Sequence, residues 1–145
     1  METNQRLAIF QSLIGQPMGQ SLSGIGRWLS GTLLEVAEGR TVAGYVVRPD
    51  MVNPMQILHG GAASAILDDL CGLTVFALGR EFGYTSVNLT VDFLNPARLG
   101  DALTAEANVV RAGRNIVHVE GRITSDTGKL IAKCSTNLVQ TTVKV

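Results

Sequence analysis

Asn53, His59, Gly60, Gly61 and Asp68 stand close together in the run Asn53-Pro54-Met55-Gln56-Ile57-Leu58-His59-Gly60-Gly61, which continues to Asp68. A helix starting at His59-Gly60-Gly61 presents unpaired backbone N–H groups and a partial positive charge in its first turn. Glycines there let another group approach the backbone. Such a turn can hold a carbonyl oxygen as it becomes an oxyanion. The same glycines would also suit a helix packed tightly on a sheet, and the triplet alone leaves both readings open. Asp68 falls more than two turns further on, in an otherwise apolar segment, where a carboxylate is costly unless paired or hydrogen-bonded. That favours a working role. Asp69 points about 100° away around the helix, so it cannot share the job and is expected at a subunit contact. His59 could serve as a base, with a positioning role favoured. His118 lies on the polar face of a strand and is expected to be solvated. Asn53 taken alone reads as a loop residue bonding its own backbone.

Other chemistries find little support. Two histidines and two cysteines are scattered without metal-ligand spacing, which argues against zinc. No Gly-x-Ser-x-Gly elbow occurs, which argues against a serine hydrolase. Cys71 and Cys134 form no CxxC pair and read as reduced core or interface thiols of a cytoplasmic protein. Net charge is zero, and no basic tract invites nucleic acid. The stretch 60–79 is apolar enough to raise a membrane question, but two adjacent carboxylates would be costly in a spanning helix; a buried core helix is expected. Glu2 and Arg6 interrupt the N-terminal stretch, which is not a secretory signal.

The elements that must position these residues follow from periodicity. Leu7, Phe10, Leu13 and Ile14 predict a short amphipathic helix over 3–14, followed by a Gly/Ser-containing connection over 15–26. Residues 33–37 and 41–47 form a hairpin about Glu38-Gly39. Residues 48–58 read as a loop. The long helix covers 59–78, with Gly79 as its stop, and needs wrapping on most of its circumference. Alternation then predicts strands over 86–93, 103–109, 117–124 and 130–139. Their short links predict a four-strand antiparallel meander in chain order. Hydrophobic residues make up 46% of the 145 and aromatics only 5%, so one domain over 1–145 is expected, with a core of small and branched aliphatics. The low charge with positive mean hydropathy hints at apolar surface hidden by self-association.

The set Asn53…His59-Gly60-Gly61…Asp68, followed by Ser86-Val87-Asn88-Leu89-Thr90-Val91-Asp92-Phe93 and Asn95-Pro96-Ala97, resembles the hot-dog thioesterases of the PaaI-like, phenylacetate-pathway type. The resemblance covers roughly residues 42–139. It implies an α+β hot-dog fold, a curled antiparallel sheet wrapped around one long central helix, with a short N-terminal helix. It also implies hydrolysis of acyl-coenzyme A thioesters with short or aromatic acyl groups. No cofactor is needed beyond the coenzyme A of the substrate. The implied assembly is a homodimer or homotetramer built from sheets joined edge to edge. Gly60 N–H would polarise the thioester carbonyl, with Gly61, Asn53 and His59 at the same end of the site. Asp68 would come from the opposing subunit as nucleophile or general base, and Ser86 would orient it or a water. The coenzyme A phosphates would meet the turn Gly113-Arg114-Asn115, Arg114 first, with Arg111 and Arg98 as further cations. The acyl pocket would be lined by Leu58, Ile57, Leu67 and Cys71. Two other functions stay open: a hot-dog dehydratase or hydratase using His59 and Asp68, and a non-catalytic acyl-CoA-binding protein. The Asn53 and Gly60 pattern favours the thioesterase over the first, and Asp68 favours it over the second.

Overall fold

The computed structural model describes residues 3–145; residues 1 and 2, the start of the expected N-terminal segment, lie outside it. Helix α1 spans Gln5–Ser12, shorter at both ends than its apolar spacing suggests; the Asn4 side chain sets its start by accepting from Leu7 N–H at 3.0 Å. Within the expected connection the chain forms a second helix, α2 (Gly24–Leu29). Ser23 caps it, and Leu29 is driven into the core, only 1% exposed. Strands β1 (Thr32–Ala37) and β2 (Arg40–Val46) form the expected hairpin. Gly39 takes the left-handed φ of 77° that the tight turn needs. Helix α3 runs Gly60–Phe76, and strands β3 (Phe82–Phe93), β4 (Ala102–Ala112), β5 (Ile116–Ser125) and β6 (Leu130–Lys144) follow.

All six strands form one antiparallel sheet in the order β1-β2-β4-β5-β6-β3. The expected four-strand meander is therefore wrong in one place. β3 and β4 are not neighbours: β4 pairs with β2, and β3 crosses to the far edge to pair with β6. The intervening residues 94–101 cross the α3 N-terminal end, where Leu58 N–H donates to Ala97 O at 2.7 Å. A short link does not enforce pairing when the sheet curls and brings its distant strands within reach.

The sheet curls over one side of α3. Ile66, Leu67, Leu70 and Cys71 are at most 1% exposed and meet Ala105, Ala107, Val117, Val119 and Ala132. Each large side chain so buried contributes roughly 1.5–3 kcal/mol. The sheet side is small where the helix comes closest: a β-carbon on Gly121 would stand 3.0 Å from Cys134 Sγ and 3.1 Å from Leu67 Cδ2. Cys71 and Cys134 are both free and buried, their sulfurs 4.0 Å apart. That shared hydrogen bond, and then burial, raise the Cys71 thiol above its ordinary pKa. The other side of α3, the stripe through Gly61, Ser64, Asp68 and Gly72, is not closed by the sheet and runs along the edge strand β3. No described helix is long and apolar enough to cross a membrane.

Candidate active site

The loop before α3 folds around Asn53. Its Oδ1 accepts from Met55 N–H at 2.9 Å and Ile57 N–H at 3.4 Å, while its backbone N–H donates to Ile57 O at 2.9 Å. Gln56 is left with φ 61°, an uncommon conformation for a residue with a side chain. His59 N–H donates to Met51 O at 2.8 Å, which fixes where the helix begins.

His59 is the helix cap. Its Nδ1 accepts from Gly61 N–H at 2.8 Å. This occupies the Gly61 amide, one of the expected substrate contacts, and the neighbouring Gly60 amide has no partner among the described residues. With the Gly61 amide occupied, the Gly60 amide stays a free donor in this turn. The tip of the Phe93 ring lies beside it, 3.2–3.6 Å from where a β-carbon on Gly60 would stand.

Asp68 is exposed, and its Oδ1 accepts from Ser86 Oγ–H at 3.0 Å. Strict alternation would turn Ser86 away from the helix, since Leu89 and Val91 pack on the core side. A β-bulge resolves this. Ser86 pairs with Leu138 and Asn88 with Asn137, so Val87 is an extra residue without a partner. The inserted residue reverses the facing, and Ser86 joins Leu89 and Val91 on the helix side.

Asp69, expected at a subunit contact, has its nearest partners within its own chain. It turns into its own chain against the α2 region; a β-carbon on Gly26 would stand 2.8 Å from Ser21 Oγ and 2.9 Å from Asp69 Oδ2. Burial raises its carboxyl above the ordinary range, Ser23 opposes the rise by hydrogen bonding, and the Asp68 charge adds to it. Burial, and then the Asp69 charge, push the Tyr45 hydroxyl up; that hydroxyl has no partner among the described residues.

The three candidate coenzyme A arginines are split. Arg98 bridges Ile57 at the Gly60 end. Arg111 and Arg114 are exposed beyond the other end of α3, and neither side chain has an ion-pair partner among the described residues. Two residues that sequence reasoning missed build their turn. Arg80 donates to Gly113 O at 2.6 Å, to Ala112 O at 3.2 Å and to Tyr84 Oη at 2.7 Å; Tyr84 O–H donates to Arg114 O at 2.8 Å. Asn115 O accepts from Gln140 N–H at 2.8 Å. Gly113 must be glycine, because a β-carbon would lie 2.5 Å from Ile116 O.

Leu58 is 8% exposed, and Leu67 and Cys71 are fully enclosed by their own chain. They build the core rather than an open acyl pocket; Ile57 is half-buried. His118, expected to be solvated, is partly buried and pairs through Nδ1 with Asn137 Oδ1 at 2.8 Å. No group of three or more metal-capable side chains occurs among the described residues.

The profile of the thioesterase superfamily matches residues 55–132, a segment that holds the capped helix, Asp68 and Ser86. The chain belongs to the thioesterase superfamily. Its fold is the hot-dog, and its class of chemistry is thioester hydrolysis. Human acyl-coenzyme A thioesterase 13 is 27% identical over 103 residues, which cover 70% of this chain and 74% of that protein. The PaaI protein of the E. coli phenylacetic acid degradation operon superimposes with a TM-score of 0.83 at 20% identity, covering 99% of each chain. A Streptococcus pneumoniae thioesterase protein solved with coenzyme A superimposes with a TM-score of 0.73 at 23% identity, covering 77% of this chain and 88% of that one.

Proposed function

We propose that this thioesterase hydrolyses acyl-coenzyme A, releasing the free acid and coenzyme A, at a site shared between two copies of the chain. One observation carries the reading. The unpaired Gly60 amide and Asp68, which holds Ser86, are eight positions apart on one helix, about 12 Å along its axis. A thioester carbonyl has its oxygen and its carbon one bond apart, so the two groups of a single chain cannot act on the same carbonyl.

The edge strand β3 supplies the second half. It has twelve residues, β6 on one side only, and exposed Val87 and Phe93. Such an edge invites pairing with another strand. Antiparallel pairing with itself about a two-fold axis near Leu89 and Thr90 sets Ser86 opposite Phe93 of a second copy, and Phe93 touches Gly60. Asp68 then faces the Gly60 amide of the other copy.

The chemistry needs no further group. Gly60 N–H stabilises charge on the carbonyl oxygen. Asp68, oriented by Ser86, attacks the carbonyl carbon or takes the proton from an attacking water. The thiolate of coenzyme A leaves; where Asp68 is the nucleophile, water then cleaves the resulting Asp68–acyl anhydride, releasing the free acid and restoring the carboxylate. Asn53 and His59 shape the loop and cap that leave the Gly60 amide open. Arg111 and Arg114 extend beyond the Asp68 half, where they suit the phosphates of the nucleotide. The name of the human relative and the coenzyme A in the streptococcal complex support the choice of thioester.

Mixing two inactive variants tests the shared site. Gly60→Pro removes the donor and Asp68→Asn removes the carboxylate. Random exchange of subunits should restore about one quarter of wild-type activity, because half of the dimers then hold one intact site of two. No recovery after proven exchange would sink the shared site. Failure of the wild-type protein to release coenzyme A from a broad acyl panel would sink the hydrolase assignment itself.

A further inference from the structure

Three successive backbone amides, those of Gly113, Arg114 and Asn115, have no hydrogen-bond partner among the described residues. They form the turn between β4 and β5. All three peptide planes are nevertheless held from behind. Arg80 Nη1–H donates to Gly113 O at 2.6 Å, and its Nη2–H donates to Ala112 O at 3.2 Å. Tyr84 O–H donates to Arg114 O at 2.8 Å. The peptides are trans, and a trans peptide points its N–H opposite to its C=O. Three carbonyls drawn toward Arg80 and Tyr84 therefore turn the Gly113, Arg114 and Asn115 N–H groups outward. Successive N–H groups presented by a turn make a cradle for an anion.

The clamp is itself anchored. Gly79 takes a left-handed φ of 76° just past α3, and Arg6 donates to the Arg80 carbonyl that follows at 3.2 Å. Arg80 also donates to Tyr84 Oη at 2.7 Å and lies 5.4 Å from the centre of its ring. A planar guanidinium can hold two successive carbonyls in a fixed direction, which an ammonium cannot. Its charge is uncompensated: Arg80, Arg111 and Arg114 all lack a carboxylate partner among the described residues. The Arg111 guanidinium lies beside the same turn, its Nη1 3.4 Å from where a β-carbon on Gly113 would stand. The clamp is tied to the reacting groups as well. Tyr84 lies two positions before Ser86 on β3, and Arg80 follows the helix that carries Asp68.

We infer that Arg80 and Tyr84 are positioning residues: they orient the turn 113–115 to receive a phosphate of the nucleotide, and so set a preference for coenzyme A thioesters over thioesters without a nucleotide. The inference rests on the proposed hydrolysis of acyl-coenzyme A, which supplies the phosphates. The test takes the acyl group that the wild-type protein cleaves fastest, carried once on coenzyme A and once on pantetheine, which has the same thiol arm and no phosphate. The ratio of the two kcat/KM values is the readout. Arg80→Gln should lower it by about 10–100-fold, and Tyr84→Phe, which changes no charge, by about 2–10-fold. Both losses should fall on KM rather than kcat, because the phosphate is held alike before and during the reaction. Arg80→Lys keeps the charge and loses the fork, so it should stay within about threefold of Arg80→Gln. A ratio restored to the wild-type value by lysine overturns the inference. So does an equal loss on both thioesters, which a general loosening of the fold would give.

A second measurement does not depend on turnover. Coenzyme A should shift the amide resonances of Gly113, Arg114 and Asn115 in the wild-type protein, and calorimetry should show its Kd raised in Arg80→Gln and Tyr84→Phe. Shifts that leave these amides untouched overturn the inference. A wild-type protein that cleaves both thioesters with equal kcat/KM overturns it and leaves the hydrolase assignment standing. One that binds coenzyme A through these amides yet cleaves no thioester upholds the clamp and defeats the hydrolase assignment.

Discussion

Gly60→Pro isolates the oxyanion donor more cleanly than most substitutions can. Gly60 is the first residue of α3 after the cap His59, the position where proline is best tolerated because its missing N–H has no intrahelical partner to lose. His59 has φ −64° and ψ 138°, within the extended region that a residue before proline must adopt. A β-carbon at this position would meet only the Phe93 ring, at 3.2 Å. Gly60→Ala carries the same β-carbon and keeps the N–H, so the difference between the two variants measures the donor. Loss of one such donor removes about 2.7–4 kcal/mol of transition-state stabilisation, a fall of about 10²–10³ in kcat. The loss should fall on kcat more than on KM, because the bond strengthens as charge develops on the oxygen. Coenzyme A release followed with a chromogenic disulfide reads the rate, and a thermal melt checks the fold. If Gly60→Pro turns over within about threefold of Gly60→Ala, well short of the loss an oxyanion donor should cause, the amide is not the donor and the reasoning from capping fails.

Two further perturbations probe the parts that hold Asp68. Ser86→Ala removes a hydrogen bond to a charged group, worth about 1.5–3 kcal/mol, and should lower kcat/KM by about 10–100-fold. Deleting Val87 should do at least as much, because Ser86 then faces away from α3; a folded deletion variant with wild-type activity would refute the role given to the bulge. Asp69 has a carboxyl raised above its ordinary value chiefly by burial, so the folded state holds its proton more tightly than the unfolded state does. Its contribution to stability is therefore greatest in acid and is lost as pH rises through the raised value. The groups around it are Asp68, Tyr45, Ser21 and Ser23. Asp69→Asn should raise Tm at neutral pH and flatten the gain in Tm that the wild-type protein shows on mild acidification; a lower Tm at neutral pH would contradict this.

Much of this molecule is decided within short stretches of chain. The apolar run of α3, the Glu38-Gly39 hairpin and the alternation of β4, β5 and β6 are local patterns, and each forms where its periodicity places it. The His-Gly-Gly start and the carboxylate of Asp68 are local too, which is why the resemblance to hot-dog thioesterases could be carried by a few residues. Helix α2 escaped notice because its six residues include two glycines, and burial of Leu29 overrides their poor propensity. The rest depends on partners distant in sequence. That β3 pairs with β6 and not with β4 follows from how the sheet curls. That curl leaves β3 as an edge and opens the possibility of a shared site. Ser86 meets Asp68 only because one unpaired residue reverses the facing of a strand, and periodicity alone cannot locate such an insertion. The helix turns Asp68 and Asp69 in different directions, but only packing against Ser21 and Gly26 half-buries Asp69 and leaves Asp68 at the open stripe.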